Sequence, residues 1–273
     1  MSTTTIVQIT DLHIRPEGVP AYRVCETNAL AERALRVVAR LKPDAVIITG
    51  DLTDCGLATE YQLLAGMLQR HLHMPVHMIP GNHDRRSEMQ AHLPGVPMSE
   101  GFFQYTAEIG PVRIVMLDTV VPGHGHGSVD GGRLEWLDRT LGEQPSQPTM
   151  VAMHHPSFVC GIAHMDRIKL QESEAFAAVI ARHPQVTRIV SGHHHRPIVS
   201  QVAHAIASIS PSVVNAVEFD LDPAAPSAFV LEPPAFQVHT WTQAGGFVSH
   251  NVLVESFPGP YPFTLDKDYP GHS

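Results

Sequence analysis

The sequence predicts an α/β fold in which β-sheets are flanked by helices, with a β-rich C-terminal segment. Three observations support it. Short apolar runs rich in β-branched residues recur along the first 190 or so residues, helical periodicities fill the gaps between them, and the pattern turns to strands alone after Gly192. Thr5–Thr10, Ala45–Thr49, Val76–Ile79, Val112–Leu117, Thr149–Met153 and Thr187–Ser191 are the predicted buried strands. Between them, Leu30, Ala34, Val38 and Leu41 repeat at three- or four-residue steps. So do Tyr61, Leu64, Leu68 and Leu72, then Leu134, Leu137 and Leu141, then Phe176, Val179, Ile180 and His183. Alternating strand and helix imply crossovers that bring successive strand ends to one sheet edge.

Beyond Gly192 the stretches Ile198–Val202, Ala205–Ile209, Phe229–Leu231, Phe236–Thr240 and Phe247–Val254 predict antiparallel strands. Prolines gather from Pro258 to Pro270, which predicts an extended tail lying on the surface or on a neighbour. No linker or internal repeat interrupts the chain, so residues 1–273 are expected to form one domain. Its 196–273 part is a candidate cap or oligomerisation segment.

Composition removes several classes of function. The 273 residues are 43% hydrophobic and 16% charged, enough apolar content for a sizeable core. Lys and Arg number 18 against 27 Asp and Glu, a formal charge of -9, which argues against nucleic-acid polymers and anionic membranes as partners. Three cysteines, Cys25, Cys55 and Cys160, form no CxxC pair and suit free thiols in a reducing compartment. The first ten residues lack the character of a secretory signal, and no apolar run approaches the roughly 18 residues of a membrane span. A cytoplasmic protein is expected. Histidine is the outlier, with 19 residues, more than Lys and Arg together.

The polar residues explain that excess. Five predicted strands end in clusters of potential metal ligands: Asp11-Leu12-His13, Gly50-Asp51-Leu52-Thr53-Asp54, Gly81-Asn82-His83-Asp84, His154-His155-Pro156 and Gly192-His193-His194-His195. Ligand sites in α/β sheets form at the carboxyl ends of strands, so the clusters can converge. Asp11, His13, Asp51, Asn82, His154, His193 and His195 are the candidate ligands. Carboxylate, imidazole and amide donors without thiolate suit Mn, Fe, Co or Zn. Seven ligands exceed one ion's needs and predict two divalent ions, about 3.5–4 Å apart with a shared anionic ligand, able to clamp the attacking and leaving oxygens of a displacement at phosphorus.

In this order the blocks D-x-H, GD-x-x-[DN], GNH[DE], H-x-P-like and GH-x-H resemble the calcineurin-like metallophosphoesterases, whose fold is a layered sandwich. The match runs from Asp11 to His195. The resemblance implies that Asp11, His13, Asp51 and His195 hold one ion, and that Asp51, Asn82, His154 and His193 hold the other, with Asp51 bridging. It implies that a hydroxide generated on the ions attacks phosphorus, and that His83 stabilises the phosphoryl charge or protonates the leaving group, with Asp84 orienting His83. The GDLTDCG and His-His-Pro blocks and Thr187–Val190 look most like the bacterial glycerophosphodiesterase and class III cyclic-nucleotide phosphodiesterase branch. Small soluble phosphodiesters are the implied substrates, and related diesterases imply a homo-oligomer. A phosphomonoesterase or nucleotidase on the same scaffold is the alternative, and a non-catalytic binding scaffold a third reading. Asp54 stands where purple acid phosphatases carry tyrosine, so a tyrosinate-bound ferric ion is not expected.

The remaining polar residues have plainer readings. His71, His73, His92, His183, His204, His239, His250 and His272 read as surface or satisfied core residues. His155 reads equally as support for the ligands or as structure, and His194 is expected to face substrate or solvent. The Gly123-His124-Gly125-His126-Gly127 run predicts a mobile rim loop, and Asp54 is expected to orient a ligand or close a turn. Arg85 and Arg86 are read as phosphate contacts or, more simply, as a solvated helix start.

Overall fold

A computed structural model describes residues 3–262 of the chain. Its strands are β1 (Thr4–Ile9), β2 (Ala45–Thr49), β3 (Val76–Ile79), β4 (Tyr105–Ile109), β5 (Val112–Leu117), β6 (Thr149–Met153), β7 (Val186–Ser191), β8 (Ile198–Val202), β9 (Ala205–Ile209), β10 (Ala216–Val217), β11 (Phe229–Val230), β12 (Ala235–Thr242) and β13 (Gly246–Leu253). Its helices are α1 (Thr27–Leu41), α2 (Ala58–His71), α3 (Arg86–His92), α4 (Gly131–Gly142), α5 (Ala163–Asp166) and α6 (Ser173–Ala181).

The strands form two main sheets, ordered β13-β12-β1-β2-β3 and β4-β5-β6-β7-β9-β8, with β10 and β11 as a separate pair. Strands β1, β2 and β3 run parallel, as do β5, β6, β7 and β9. The central strands are continuous apolar runs because both their faces are covered, and β2 is buried at every residue. Ile6, Ile47 and Ile79 from one sheet meet Ile114, Met116 and Val190 from the other, so the sheets pack face to face. Helices α1 and α2 cover the outer face of the first sheet through Leu35, Val38, Tyr61 and Leu64. The second sheet is covered by Trp136 and Leu137 of α4 and by Phe176 and Ile180 of α6. The layered α/β expectation is met.

Polar groups also stitch the two sheets. Gln8 on β1 donates to the Thr49 hydroxyl and to the Ser191 carbonyl on β7, both at 2.9 Å. His239 on β12 contacts Gln8 Oε1 at 3.1 Å and the Ser249 hydroxyl at 2.7 Å, so it is a satisfied core histidine. Ser208 on β9 donates to Gln237 Oε1 at 3.1 Å.

Several expectations need correction. The strands after Gly192 are not all antiparallel: β9 joins β7 in parallel, because β8 folds back first and lets β9 enter between β8 and β7. Strand β4 and helix α3 were not predicted. In β4 Thr106 and Glu108 face solvent at an edge and interrupt the apolar run, and α3 has only seven residues. The C-terminal part divides between the sheets, with β8 and β9 in the second and β12 and β13 in the first. Residues 256–262 of the proline-rich stretch are exposed and irregular. The rest of the expected tail, with His272, lies outside the described residues.

Candidate metal centre

Asp11, Asp51, Asn82, His154 and His193 each follow a parallel strand, β1, β2, β3, β6 and β7 in turn, by no more than three residues. The two sheets present these ends side by side. Five of the predicted ligands turn inward on left-handed backbone, with φ of 54° at Asp11, 46° at His13, 47° at Asp51, 71° at His193 and 56° at His195. Non-glycine residues avoid that region at a cost of about 1 kcal/mol or more each, and such strain gathers at functional sites. The glycines beside them give room. A Cβ on Gly81 would lie 2.2 Å from Asp51 Oδ1, and one on Gly192 would lie 2.0 Å from the Thr10 hydroxyl.

The side chains converge. Ligand atoms of Asp11, His13, Asp51 and His195 all lie within 4.8 Å of one another. His195 Nε2 is 3.4 Å from Asp11 Oδ1. Asp51 Oδ2 is 3.6 Å from His13 Nε2 and 3.4 Å from His154 Nε2. His154 Nε2 is also 3.1 Å from Asn82 Oδ1, and the His193 ring sits 5.0 Å from that of His154. All seven predicted ligands are therefore brought to one place.

Second partners aim the rings. His154 Nδ1 donates to the Thr49 carbonyl at 2.8 Å and His195 Nδ1 to the Asn215 carbonyl at 3.1 Å, which turns each Nε2 toward the cluster. His13 Nδ1 meets Asp54 Oδ1 at 3.2 Å, so Asp54 orients the His13 ring. The Nε2 atoms of His13 and His195 then face each other at 3.2 Å, lone pair toward lone pair. A cation between them removes that repulsion, and the donor set fits divalent metal. Sequence reasoning missed the carbonyls of Thr49, Asn215 and Ile168, the last 3.1 Å from His193 Nε2. Backbone acceptors leave no signature in residue type.

Charge coupling is strong. Burial alone would raise the Asp51 carboxyl, but the imidazoles of His154, His83 and His13 hold it well below the usual carboxylate range. Burial opposes protonation of His154, yet the Asp51 carboxylate overrides it and pushes the imidazole up to about 9. His193 and His155 go the other way, driven down first by burial and then by their neighbouring imidazoles.

His83 stands at the mouth with its side chain 31% exposed. Its Nδ1 donates to the Asp54 carbonyl at 2.7 Å, and its amide donates to Asp51 Oδ1 at 3.0 Å. Burial works against its proton, but Asp51, Asp54 and Asp84 together raise its pKa above the ordinary imidazole value. Asp84 does not reach the His83 ring. Its carboxylate accepts from the amides of Leu52, Thr53 and Gly81 and the hydroxyls of Thr53 and Tyr61, so it ties the Asp51 loop to the Asn82 loop. The orienting partner of His83 is Asp54. Burial and the Asp51 charge push Asp84 up to about 6 even so.

Three further expectations change. His194 does not face solvent: it is fully buried, neither ring nitrogen is hydrogen-bonded among the described residues, and burial drives its pKa down to about 4. The glycine-histidine loop is pinned from below. His155 Nδ1 pairs with the Thr119 hydroxyl at 2.7 Å and its Nε2 donates to the Gly125 carbonyl at 3.2 Å, so the ring supports a wall and has no free lone pair for metal. A Cβ on Gly127 would lie 2.4 Å from that ring. Arg86 is more than a solvated helix start, with its side chain 19% exposed. It forms a two-pronged pair with buried Asp118, both contacts 2.7 Å, and clamps α3 to the strand end after β5.

Two cavities meet at Asn82 and His83. One of about 390 Å³ is lined by the predicted ligands His13, Asp51 and His193 and closed by Tyr22, Met165 and Phe229. The other, about 630 Å³, lies beyond His83 and is lined by Arg85, Ser87, Pro122 and His124. Asn82 and His83 line both.

A two-sheet sandwich that gathers carboxylates, imidazoles and an amide at its strand ends is the architecture of a metal-dependent phosphoesterase. The chain belongs to the calcineurin-like phosphoesterase family, whose model matches residues 4–197. It is 33% identical over 267 residues to the Arcobacter nitrofigilis protein named "Probable glycerophosphodiester phosphodiesterase GpdQ", covering 96% of this chain and 97% of that one. It is 32% identical over 195 residues to the 3′,5′-cyclic-nucleotide phosphodiesterase of a Nostoc species, covering 70% and 71%. The fold is similar to that of a dimetal phosphatase from Danio rerio, with a TM-score of 0.65 at 16% identity over 92% of this chain and 99% of that one. Among the described residues, no helix is long and apolar enough to cross a membrane.

Proposed function

We propose that this protein is a binuclear-metal phosphodiesterase that hydrolyses small diesters, either 3′,5′-cyclic nucleotides or glycerophosphodiesters. One observation carries the reading: a single carboxylate oxygen, Asp51 Oδ2, faces both His13 and His154, as a ligand shared by two ions must. Asp11, His13, Asp51 and His195 would hold one ion, and Asp51, Asn82, His154 and His193 the other. Manganese, iron, cobalt and zinc all suit these donors. Bound there, divalent cations lower the pKa of water toward neutrality and offset phosphoryl charge.

The chain's own groups complete the chemistry. Asn82 and His83, shared by both cavities, sit where a phosphoryl group would rest. The Asp54 carbonyl fixes Nδ1 of His83 as a donor, so Nε2 is the atom that presents a proton to the cavity. Burial opposes that proton, and Asp51, Asp54 and Asp84 favour it, the balance raising the pKa above the ordinary imidazole value. An alkoxide leaving group needs the proton most, a nitrophenolate least. His83→Ala is therefore expected to lower kcat/KM for an alkyl diester at least tenfold more than for bis(4-nitrophenyl) phosphate. Equal losses would remove the acid role.

A cavity on each side of Asn82 and His83 favours a diester over the phosphomonoesterase or nucleotidase reading, since a monoester has one arm to house. A binding scaffold without activity has no need of seven converging ligands. Turnover of cyclic AMP, glycerophosphoethanolamine, bis(4-nitrophenyl) phosphate and 4-nitrophenyl phosphate by manganese-loaded protein tests the assignment. Diesters are expected to be preferred. Faster cleavage of the monoester favours the phosphatase, and no cleavage of any favours the scaffold. The same reading includes a reducing cytoplasm, in keeping with free Cys25, Cys55 and Cys160, and a cap formed by the turn before β11, whose Ser227, Ala228 and Phe229 line the smaller cavity. Pairing of subunits through the C-terminal part is its remaining element, checked by light scattering.

A further inference from the structure

Resting on the diester reading above, we propose that the 630 Å³ cavity beyond His83 receives the leaving alcohol arm of the diester, and that His155 sets its depth by holding the Gly125 wall.

The placement follows from where the cavities lie relative to the ligand cluster. Displacement at phosphorus is in line, so the departing oxygen lies on the face of phosphorus opposite the attacking one. The smaller cavity contains His13, Asp51, His193 and His195 and lies on the attacking side. The larger one contains none of these and touches the site only through Asp54, Asn82, His83 and Asp84. An arm leaving away from the ligand cluster passes His83 and enters it.

Its walls are built and held. On one side Arg85, just before α3, and Ser87 in its first turn form the wall. The Arg86 pair with Asp118, and a further bond from Arg86 to the Val120 carbonyl at 2.7 Å, lock α3 to the opposite wall. That wall, Val120 to Gly125, rests on His155 through the Gly125 carbonyl. The Thr119–His155 contact fixes the tautomer that makes this bond possible, because a hydroxyl donating to Nδ1 leaves the proton on Nε2. His155 touches no reacting atom. It is a positioning residue, next to His154 in the chain and in ring contact with His154 at 4.7 Å and with His193 at 4.6 Å.

The lining suits a polar or aryl alcohol. Arg85, Ser87 and His124 supply donors around a space wide enough for a sugar or a ring.

The test compares two diesters with the same leaving arm and different retained arms, methyl 4-nitrophenyl phosphate and bis(4-nitrophenyl) phosphate. Ser87 and His124 are exposed residues on opposite walls, so Ser87→Trp and His124→Trp fill the cavity from either side without entering the core. If the leaving arm occupies it, each variant raises KM about tenfold for both esters alike. A rise for the bis ester alone would assign the cavity to the retained arm, and unchanged KM for both would empty it of function. Either result overturns the proposal. His155→Phe keeps the ring packing and loses the Gly125 bond; a rise in KM for both esters with little change in kcat is expected. His155→Gln, whose amide can still donate to Gly125, is expected to restore much of it. A second readout needs no turnover. Amide shift mapping of the metal-free protein with millimolar 4-nitrophenol is expected to move Ser87, His124 and Gly125, whereas shifts centred on Ala228 and Phe229 would overturn it. Wild-type protein that cleaves neither ester refutes the diesterase reading instead, and the shift map still decides the cavity.

Discussion

At the scale of single residues, the site depends on backbone that most side chains avoid. Left-handed φ at five ligand positions turns each carboxylate or imidazole back toward the strand ends, and the glycines preceding or facing them are packed until no Cβ fits. Gly81→Ala puts a methyl group against Asp51 Oδ1, the oxygen that also accepts from the His83 amide. The methyl also meets the Asp51 amide nitrogen at 2.3 Å, so the loop itself must shift, and the variant is expected to lose at least tenfold in metal affinity as Asp51 moves. Calorimetric titration with manganese measures it, and unchanged affinity would show that Asp51 does not need its present position. The seven side chains that converge were legible in the sequence for a chemical reason: a metal site demands side-chain types, and side-chain types are what a sequence displays. The partners that aim them were legible only in part. Asp54 was readable as a carboxylate beside a ligand block, whereas Thr49, Ile168 and Asn215 act through carbonyls that every residue possesses. The orienting role first given to Asp84 fell to Asp54 because adjacency in sequence to His83 does not bring Asp84 to its ring. A carboxylate surrounded by three amides and two hydroxyls is consumed by them.

At the scale of elements, strand prediction worked where burial on both faces writes a continuous apolar run, as in β2 and β6, and failed at the edge strand β4, where solvent admits Thr106 and Glu108. Parallel entry of β9 was hidden because strand direction depends on where a connection crosses, and local pattern carries no record of it. The polar seam between the sheets was hidden as well, although one member titrates in a useful range. Burial, then the charges of Arg188 and His250, push the His239 imidazole from its ordinary 6.5 down to about 3. Above pH 6.5 it is neutral in both folded and unfolded chains and adds no pH dependence. Between 6.5 and about 3 the unfolded chain binds a proton that the folded chain refuses, so this residue costs stability as pH falls, about 2 kcal/mol by pH 5. In His239→Gln the loss between pH 7 and pH 5, followed by urea midpoint on metal-free protein, is expected to shrink by about that amount. An identical loss in both proteins would mean that His239 is protonated within the fold.

Taken whole, the molecule uses two sheets to solve one electrostatic problem. Asp11 and Asp51 come from the first sheet, His154, His193 and His195 from the second, and each set is buried by the other. Without cations, the arrangement holds protons in their place, and the His154 imidazole, pushed up to about 9 by Asp51, is the chief holder. A ligand must surrender its proton before it can bind metal, so metal and proton compete for the same atom. Below pH 9 each metal ion bound at His154 is expected to release one proton, and apparent affinity to rise about tenfold per pH unit, flattening above 9. Titration calorimetry in two buffers of different ionisation enthalpy counts the protons directly, and a count near zero at pH 7 would mean that the Asp51–His154 pair is not proton-bound. Because ions that favour the folded chain stabilise it by mass action, the same competition should appear in melting. At a free metal concentration a hundred times the dissociation constant the gain is about 2.7 kcal/mol. Holding metal fixed and lowering pH from 8 to 6 should therefore erase most of that gain. In His154→Ala, which has no such proton to displace, the stabilisation that survives from the Asp11, His13 and His195 side should lose the part of its pH dependence that came from His154.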